Sequence, residues 1–192
     1  MTEAVHISSR DNALLKELKR LATDNAAYRR FGRVWLEGDH LCRAALARGV
    51  KPALAVFSES LWPTAPAEWR NAAPRNVVLA DALFADISGL ESPAAMGFVL
   101  DLPATPELLP NVPTVVLDRV QDAGNVGSIL RSAAAFGFGQ VLALKGSAAL
   151  WSPKVLRAGM GAHFGLHLVE GLSVDDLADL SVPLLVTSSH QG

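Results

Sequence analysis

The stretch VVLDRVQDAGNVGSILRSAAAFGFG, residues Val115 to Gly139, decides how the rest of the chain is read. Val115, Val116 and Leu117 form a short apolar run of buried-strand type, and a polar turn with Gly124 and Gly127 follows. Val126, Ile129, Leu130, Ala133 and Ala134 then recur at i, i+3, i+4, i+7 and i+8, the stripe of a helix with one face on a core. That periodicity puts Gly127, Arg131 and Ala135 off the stripe. Asn125 is a good N-cap type, and the small residues around it allow a backbone or a ligand to approach the helix N-terminus. Arg131, about one turn further in, would face such a ligand with a fixed cation.

A dinucleotide fingerprint needs G-x-G-x-x-G and a P-loop needs G-x-x-x-x-G-K-[ST]; Gly124-Asn125-Val126-Gly127 supplies neither. An ordinary βα unit with a glycine-eased turn explains the glycine pair alone. The longer string does more, because Asn125-x-Gly127-x-x-x-Arg131 followed by Ala133-Ala134-Ala135-Phe136-Gly137 resembles the first signature motif of the SpoU (TrmH-like) branch of SPOUT RNA 2′-O-ribose methyltransferases. The run from Lys145 through Ser152-Pro153-Lys154 to Arg157-Ala158-Gly159-Met160-Gly161-Ala162 is similar to the next block of that family.

Bulk properties narrow the classes. A chain of 192 residues, 50% of them hydrophobic, has enough material for one domain or two small ones with real cores. No apolar run reaches the roughly 18 residues of a membrane span, and Met1 to Arg10 lack the apolar core of a signal peptide, so a cytoplasmic location is the default expectation. The single cysteine, Cys42, reads as a small packing residue. Net charge is −2, yet residues 1–51 carry ten Lys/Arg against six Asp/Glu and the remainder carries seven against thirteen. The basic excess is confined to the N-terminal quarter. Charged residues are only 19% of the chain, which leaves apolar surface for a partner.

In that quarter, Ser8 or Ser9 precedes an amphipathic helix from Arg10 to Leu21 with Arg10, Lys16, Lys19 and Arg20 on its polar side. Tyr28-Arg29-Arg30-Phe31-Gly32-Arg33 interleaves cations with aromatics, which suits phosphate contact with base stacking as well as it suits a solvated face. Val34 to Gly38 reads as a strand and Asp39 to Arg48 as a helix. This order resembles the N-terminal substrate-binding domain of SpoU enzymes, which is similar to ribosomal protein L30e. Strands at Ala53 to Phe57, Val77 to Leu79 and Met96 to Leu100, with a helix from Ala82 to Ile87, complete a small α/β/α layer over residues 1–102. Trp62 to Pro74 is a proline- and alanine-rich insertion. Residues 103–113 lie in a stretch with four prolines in twelve residues, Leu102 to Pro113, and form the expected linker.

Residues 114–192 continue with a strand at Val141 to Leu144, a helix opened by Ser152-Pro153, a strand at Leu166 to Val169, an acidic helix over Val174 to Leu180 and a strand at Pro183 to Thr187. Alternation of this kind predicts a parallel sheet, whose ligands sit beyond the strand C-termini at Asp118 to Asn125, Lys145 to Ser147 and Thr187 to Ser189. Lys154 and Arg157, three apart, share a helix face. His163 and His167 have no further metal ligands and read as structural. There is no G-x-S-x-G elbow, which leaves Ser128 as a helix-surface residue and Ser132 as a packing residue. Asp118 and Asp122 around Arg119 most simply form an ion pair and a turn cap.

The resemblance implies a two-part α/β protein that transfers a methyl group from S-adenosylmethionine to a ribose 2′-OH of rRNA or tRNA, as a homodimer in the full-length family member. It implies Arg131 and Asn125 as catalytic residues, Lys154, Arg157, Arg29, Arg30 and Arg33 as RNA contacts, and Thr187, Ser188 and Ser189 as one wall of the cofactor site. The family carries a further glycine-rich turn and a Ser-Leu-Asn helix, which build its trefoil knot and have no match up to Gly192. The expectation is therefore a methyltransferase domain cut before its knot and inactive alone, with a non-catalytic RNA-binding module as the alternative.

Overall fold

The computed structural model describes residues 3–104 and 106–187. Its first half holds strands β1 (Ala4–Ile7), β2 (Arg33–Glu37), β3 (Leu54–Ser58), β4 (Asn76–Leu79) and β5 (Met96–Asp101). Helices α1 (Ala13–Thr23), α2 (Ala27–Phe31), α3 (Asp39–Ala47), α4 (Ala67–Arg70) and α5 (Asp81–Ile87) pack around them. The strands form one sheet in the order β1-β4-β3-β5-β2, with β1, β4 and β3 parallel and β5 antiparallel to both β3 and β2. Every residue of β3 and β4 is buried, as expected of central strands covered on both faces.

Local chemistry explains the element ends. Helix α1 starts at Asn12, whose side chain accepts from the Leu14 N–H at 2.9 Å, so Arg10 lies ahead of the helix rather than on its polar face. Its stripe of Leu15, Leu18, Leu21 and Ala22 is buried. Full burial of a leucine such as Leu18 contributes roughly 1.5–3 kcal/mol. Gly32 adopts φ 63° at the end of α2, a left-handed turn that feeds β2 directly. Strand β1 is absent from the sequence reading: its four residues alternate weakly, and only pairing with β4 identifies it. In the insertion, Trp69 is buried and takes part in the core.

The second half holds β6 (Thr114–Leu117), α6 (Ala123–Ala135), β7 (Gln140–Leu144), α7 (Pro153–Gly159) and β8 (His167–Leu172). Its three strands are parallel in the order β6-β7-β8. Leu117, Val126, Leu130, Ala133, Val141, Ala143, Leu150, Val155 and Leu168 form its core. Two expectations change here. The acidic segment forms a short 3-10 turn over Asp175–Asp179 instead of an α-helix, and Pro183 to Thr187 forms no strand. Leu184, Leu185 and Val186 are instead 56%, 90% and 82% exposed, because no neighbouring strand among the described residues pairs with them.

The proline-rich connection has no helix or strand among its described residues, yet it is held in place. The buried Gln140 side chain accepts from the Leu109 N–H at 2.7 Å and donates to the Leu109 carbonyl at 3.1 Å, acting as a strand edge would. Nε2 of His167 lies 2.6 Å from the Glu107 carbonyl. The two halves also share packing, since Leu156 of α7 belongs to the first core and Ala149, Trp151 and Phe164 pack against it. No helix of the described residues is long and apolar enough to cross a membrane.

Candidate functional site

The turn from β6 into α6 is built by two aspartates. Asp122, not Asn125, is the N-cap: its Oδ1 accepts from the Asn125 N–H at 2.7 Å, which puts Gly124 and Asn125 in the first helical turn. Asp118 takes a two-point contact from Arg119, Nε to Oδ1 at 2.8 Å and the second guanidinium nitrogen to Oδ2 at 3.0 Å. Those hydrogen bonds hold the Asp118 carboxyl below the usual carboxylate range. The ion pair and cap expected of these aspartates are thus present. Arg119 adopts φ 52°, a left-handed conformation uncommon for a side chain of its size. Its Cγ lies 3.2 Å from where a Cβ on Gly146 would stand, so its side chain covers the loop after β7.

Gly127 admits the close approach of a backbone, one of the two partners that its small size allows. It is buried, and an added Cβ would fall 2.3 Å from the Ala158 Cβ and 2.8 Å from the Gly159 backbone nitrogen. The close approach is that of α7, whose N-cap Ser152 accepts from the Val155 N–H at 3.3 Å with Pro153 at the first helical position. The buried face of α6 is accordingly wider than the apolar stripe. Arg131 lies one turn beyond Gly127, exposed, with no hydrogen bond or ion pair among the described residues. Asn125, Lys154 and Arg157 are exposed as well. Arg131 thus lies on α6, and Lys154 and Arg157 on α7, two helices that pack directly on one another. Ser128 is exposed as expected; Ser132 is exposed too, where packing was expected.

The N-terminal cations divide into two groups. Arg33 is committed to the fold, its Nε 2.7 Å from Asp101 and a terminal nitrogen 3.5 Å from Glu17. Lys16 pairs with Asp11 at 2.9 Å and Lys19 with Asp86 at 3.1 Å. Arg29 and Arg30 are exposed, standing 5.3 Å and 5.6 Å from the ring centres of Tyr28 and Phe31. Base stacking on Tyr28 is ruled out by its burial. Its ring is 5% exposed, and its hydroxyl donates to both carboxylate oxygens of Glu170 in β8, at 2.6 and 2.8 Å. Burial first, and the Glu170 carboxylate second, push the Tyr28 phenol well above its ordinary range. Glu170 also accepts from the Leu150 N–H at 2.7 Å and lies 3.4 Å from Arg29, so one carboxylate joins the two halves. This junction could not be read locally, since its partners stand 142 positions apart in the chain.

The remaining candidates are structural. His163 is buried with Nε2 2.8 Å from the Leu150 carbonyl and its ring 5.1 Å from that of Trp151; burial lowers its pKa to about 4. Cys42 is fully buried, and burial pushes its thiol up. Among the described residues no group of His, Cys, Asp and Glu could hold a metal ion. Of the residues expected to line a cofactor, Thr187 is exposed and outside any strand, while Ser188 and Ser189 lie outside the described residues. The described residues at that position form no cradle for a cofactor.

Residues 113–188 match the model of the SpoU rRNA Methylase family. Over 179 residues, 88% of this chain, the sequence is 36% identical to mitochondrial rRNA methyltransferase 3A of Danio rerio, but the chain spans only 40% of that relative's length. It is 27% identical over 97% of its length to the 23S rRNA (guanosine(2553)-2′-O)-methyltransferase RlmP of Bacillus subtilis, of which it covers 74%. Among solved structures, a TrmH-family RNA methyltransferase from Porphyromonas gingivalis superposes with a TM-score of 0.70 at 32% identity, covering 84% of this chain and 63% of that one. The SpoU methyltransferase AviRb of Streptomyces viridochromogenes, in complex with AdoMet, shares the fold with a TM-score of 0.72 at 23% identity, over 88% of this chain and 66% of that one. Residues 113–188, with their strand, capped turn and cation-bearing helix, are thus the SpoU rRNA Methylase segment of a chain that is similar in sequence and fold to the methyltransferases named above.

Proposed function

We propose that the chain serves the methylation of rRNA at a ribose 2′-OH, with S-adenosylmethionine as the methyl donor. One observation carries the reading: Arg131 is an exposed cation without a partner among the described residues, fixed one turn beyond Gly127 on the helix whose first turn presents Asn125. An arginine stays protonated at any working pH, so its role is to hold a phosphate and stabilise the charge that develops on the attacking oxygen, not to remove a proton. Asn125, exposed in the first helical turn, reaches the ribose, and Lys154 and Arg157 hold neighbouring phosphates. Residues 1–102, whose resemblance is to an L30e-like domain, serve as the RNA-binding part, residues 103–113 join it, and residues 114–192 form the methyltransferase part. The relative from Bacillus subtilis supports the 2′-O reading by its name, and AviRb supports the donor by its bound AdoMet. A non-catalytic RNA module is not favoured, since the relatives named above are methyltransferases.

The test is Arg131→Ala in whichever form of the protein shows methyl transfer to rRNA. Loss of one preorganised charge contact costs about 10²–10³ in rate, and Arg131→Lys is expected to recover only a small part because the planar fork is gone. Turnover within about tenfold of the parent by Arg131→Ala, with the fold intact by circular dichroism, rejects the assignment.

A further inference from the structure

We infer that a cleft of about 290 Å³ between the two halves of the molecule is a subsite for a backbone phosphate of the RNA, held by Arg29 from the first half and Lys145 from the second. The inference rests on the RNA reading above and adds a place where the strand crosses from one half to the other. Its walls are Arg29, the end of β7 with the loop Lys145-Gly146-Ser147-Ala148, and Glu170-Gly171 of β8. The loop is fixed from behind. The Ser147 hydroxyl donates to the Leu117 carbonyl at 3.0 Å, the Ala148 N–H to the Val120 carbonyl at 2.8 Å, and the Lys145 N–H to the Leu172 carbonyl at 2.8 Å. Gly146, at φ 93°, is exposed, and its N–H makes no hydrogen bond among the described residues.

Three features fit an anion of phosphate size. Arg29 is oriented from two sides, by the Tyr28 ring at 5.3 Å and by a single 3.4 Å contact to Glu170, which leaves most of its five N–H donors uncommitted. The Glu170 carboxylate in the wall is occupied by the Tyr28 hydroxyl and the Leu150 N–H as well, so it anchors Arg29 more than it cancels it. Lys145 is exposed, and Asp176 in its vicinity is itself held by the Ser173 N–H at 2.6 Å and hydroxyl at 2.7 Å. Two cations, a free amide and an opening to solvent make a phosphodiester seat; a base would find no exposed ring there, since Tyr28 is buried. Because the cations come from different halves, the seat exists only while the Tyr28–Glu170 junction holds them together.

The test is titration of the full chain with a fluorescently labelled RNA hairpin at several salt concentrations, beside Lys145→Ala, Arg29→Ala, the double variant, and Arg75→Ala as an exposed cation before β4 that controls for net charge. Lys145→Ala and Arg29→Ala are each expected to weaken binding roughly three- to tenfold, between the values for an exposed ion pair and a charged hydrogen bond. Since both serve one phosphate, the double variant is expected to lower the slope of log K against log salt by about one unit, not two. The Lys145 side chain forms no hydrogen bond or ion pair among the described residues, so its variant is expected to read the cleft with no change in folding. Arg29→Lys, which keeps the charge, separates a lost cation from a loosened junction. RNA binding that is unchanged in Lys145→Ala and in Arg29→Ala overturns the subsite and leaves the RNA reading standing. Failure of the parent chain to bind RNA at low salt overturns both.

Discussion

Gly127 and His163 show how single residues are constrained from opposite directions. At Gly127 the limit is steric, and the obstacle is backbone and a helix-bound Cβ on α7, neither of which can swing aside. Gly127→Ala should therefore destabilise the fold by about 1–3 kcal/mol or more despite the gain in helix propensity, read as a lower urea midpoint at unchanged slope. An unchanged midpoint would mean that α6 and α7 can separate without cost. At His163 the limit is electrostatic. Its folded pKa of about 4 lies below the ordinary 6.5, so the unfolded chain takes up the proton first. The contribution is complete above pH 6.5 and is lost as pH falls towards 4, on the order of 3 kcal/mol in all. Urea midpoints measured from pH 7 to pH 4.5 should fall steeply in the parent and less in His163→Phe. A parallel decline in both would assign the acid sensitivity to other groups.

Among the elements, α6 was legible because its apolar period is long and regular, and α7 because Ser152-Pro153 is an unambiguous start. The cap of α6 was misplaced by three residues, since Asp122 and Asn125 are both good cap types and only the observed hydrogen bond separates them. The site residues followed the same division. Arg131, Asn125, Lys154 and Arg157 are exposed as their positions on helices predicted, whereas Arg33 and Tyr28 looked available only because their partners Asp101 and Glu170 are remote in sequence. Pro183 to Thr187 has the composition of a strand, but a strand needs a neighbour to satisfy its backbone, and composition cannot supply one. A cofactor wall at Thr187 depends on that strand. The 192-residue chain is accordingly expected to bind S-adenosylmethionine weakly, with calorimetry giving a Kd well above the micromolar range. Micromolar affinity would overturn that expectation.

Across the whole molecule, the basic N-terminal quarter and the proline-rich connection are both tied into the fold. Much of the positive charge is paired within the first half, and the spacer is clamped by Gln140 and His167. With Leu156 in the first core and Glu170 bound to Tyr28, the halves should unfold in one calorimetric transition. Tyr28→Phe removes a hydrogen bond to a charged group, a loss of about 1.5–3 kcal/mol. For a chain of this size the melting temperature should fall on the order of 3–10 °C. A melting temperature within a degree of the parent's would show that the junction is held by apolar packing alone.

The order β6-β7-β8 leaves the outer side of β6 without a neighbour among the described residues, while the exposed run Leu184-Leu185-Val186 lies in the same half of the chain. An edge strand and an exposed apolar, uncharged segment are the two ingredients of intermolecular β-pairing. Concentrated solutions of the chain are therefore expected to self-associate through main-chain hydrogen bonds, and Leu185→Lys or Leu185→Pro is expected to reduce this without touching Arg131 or the cleft at Lys145.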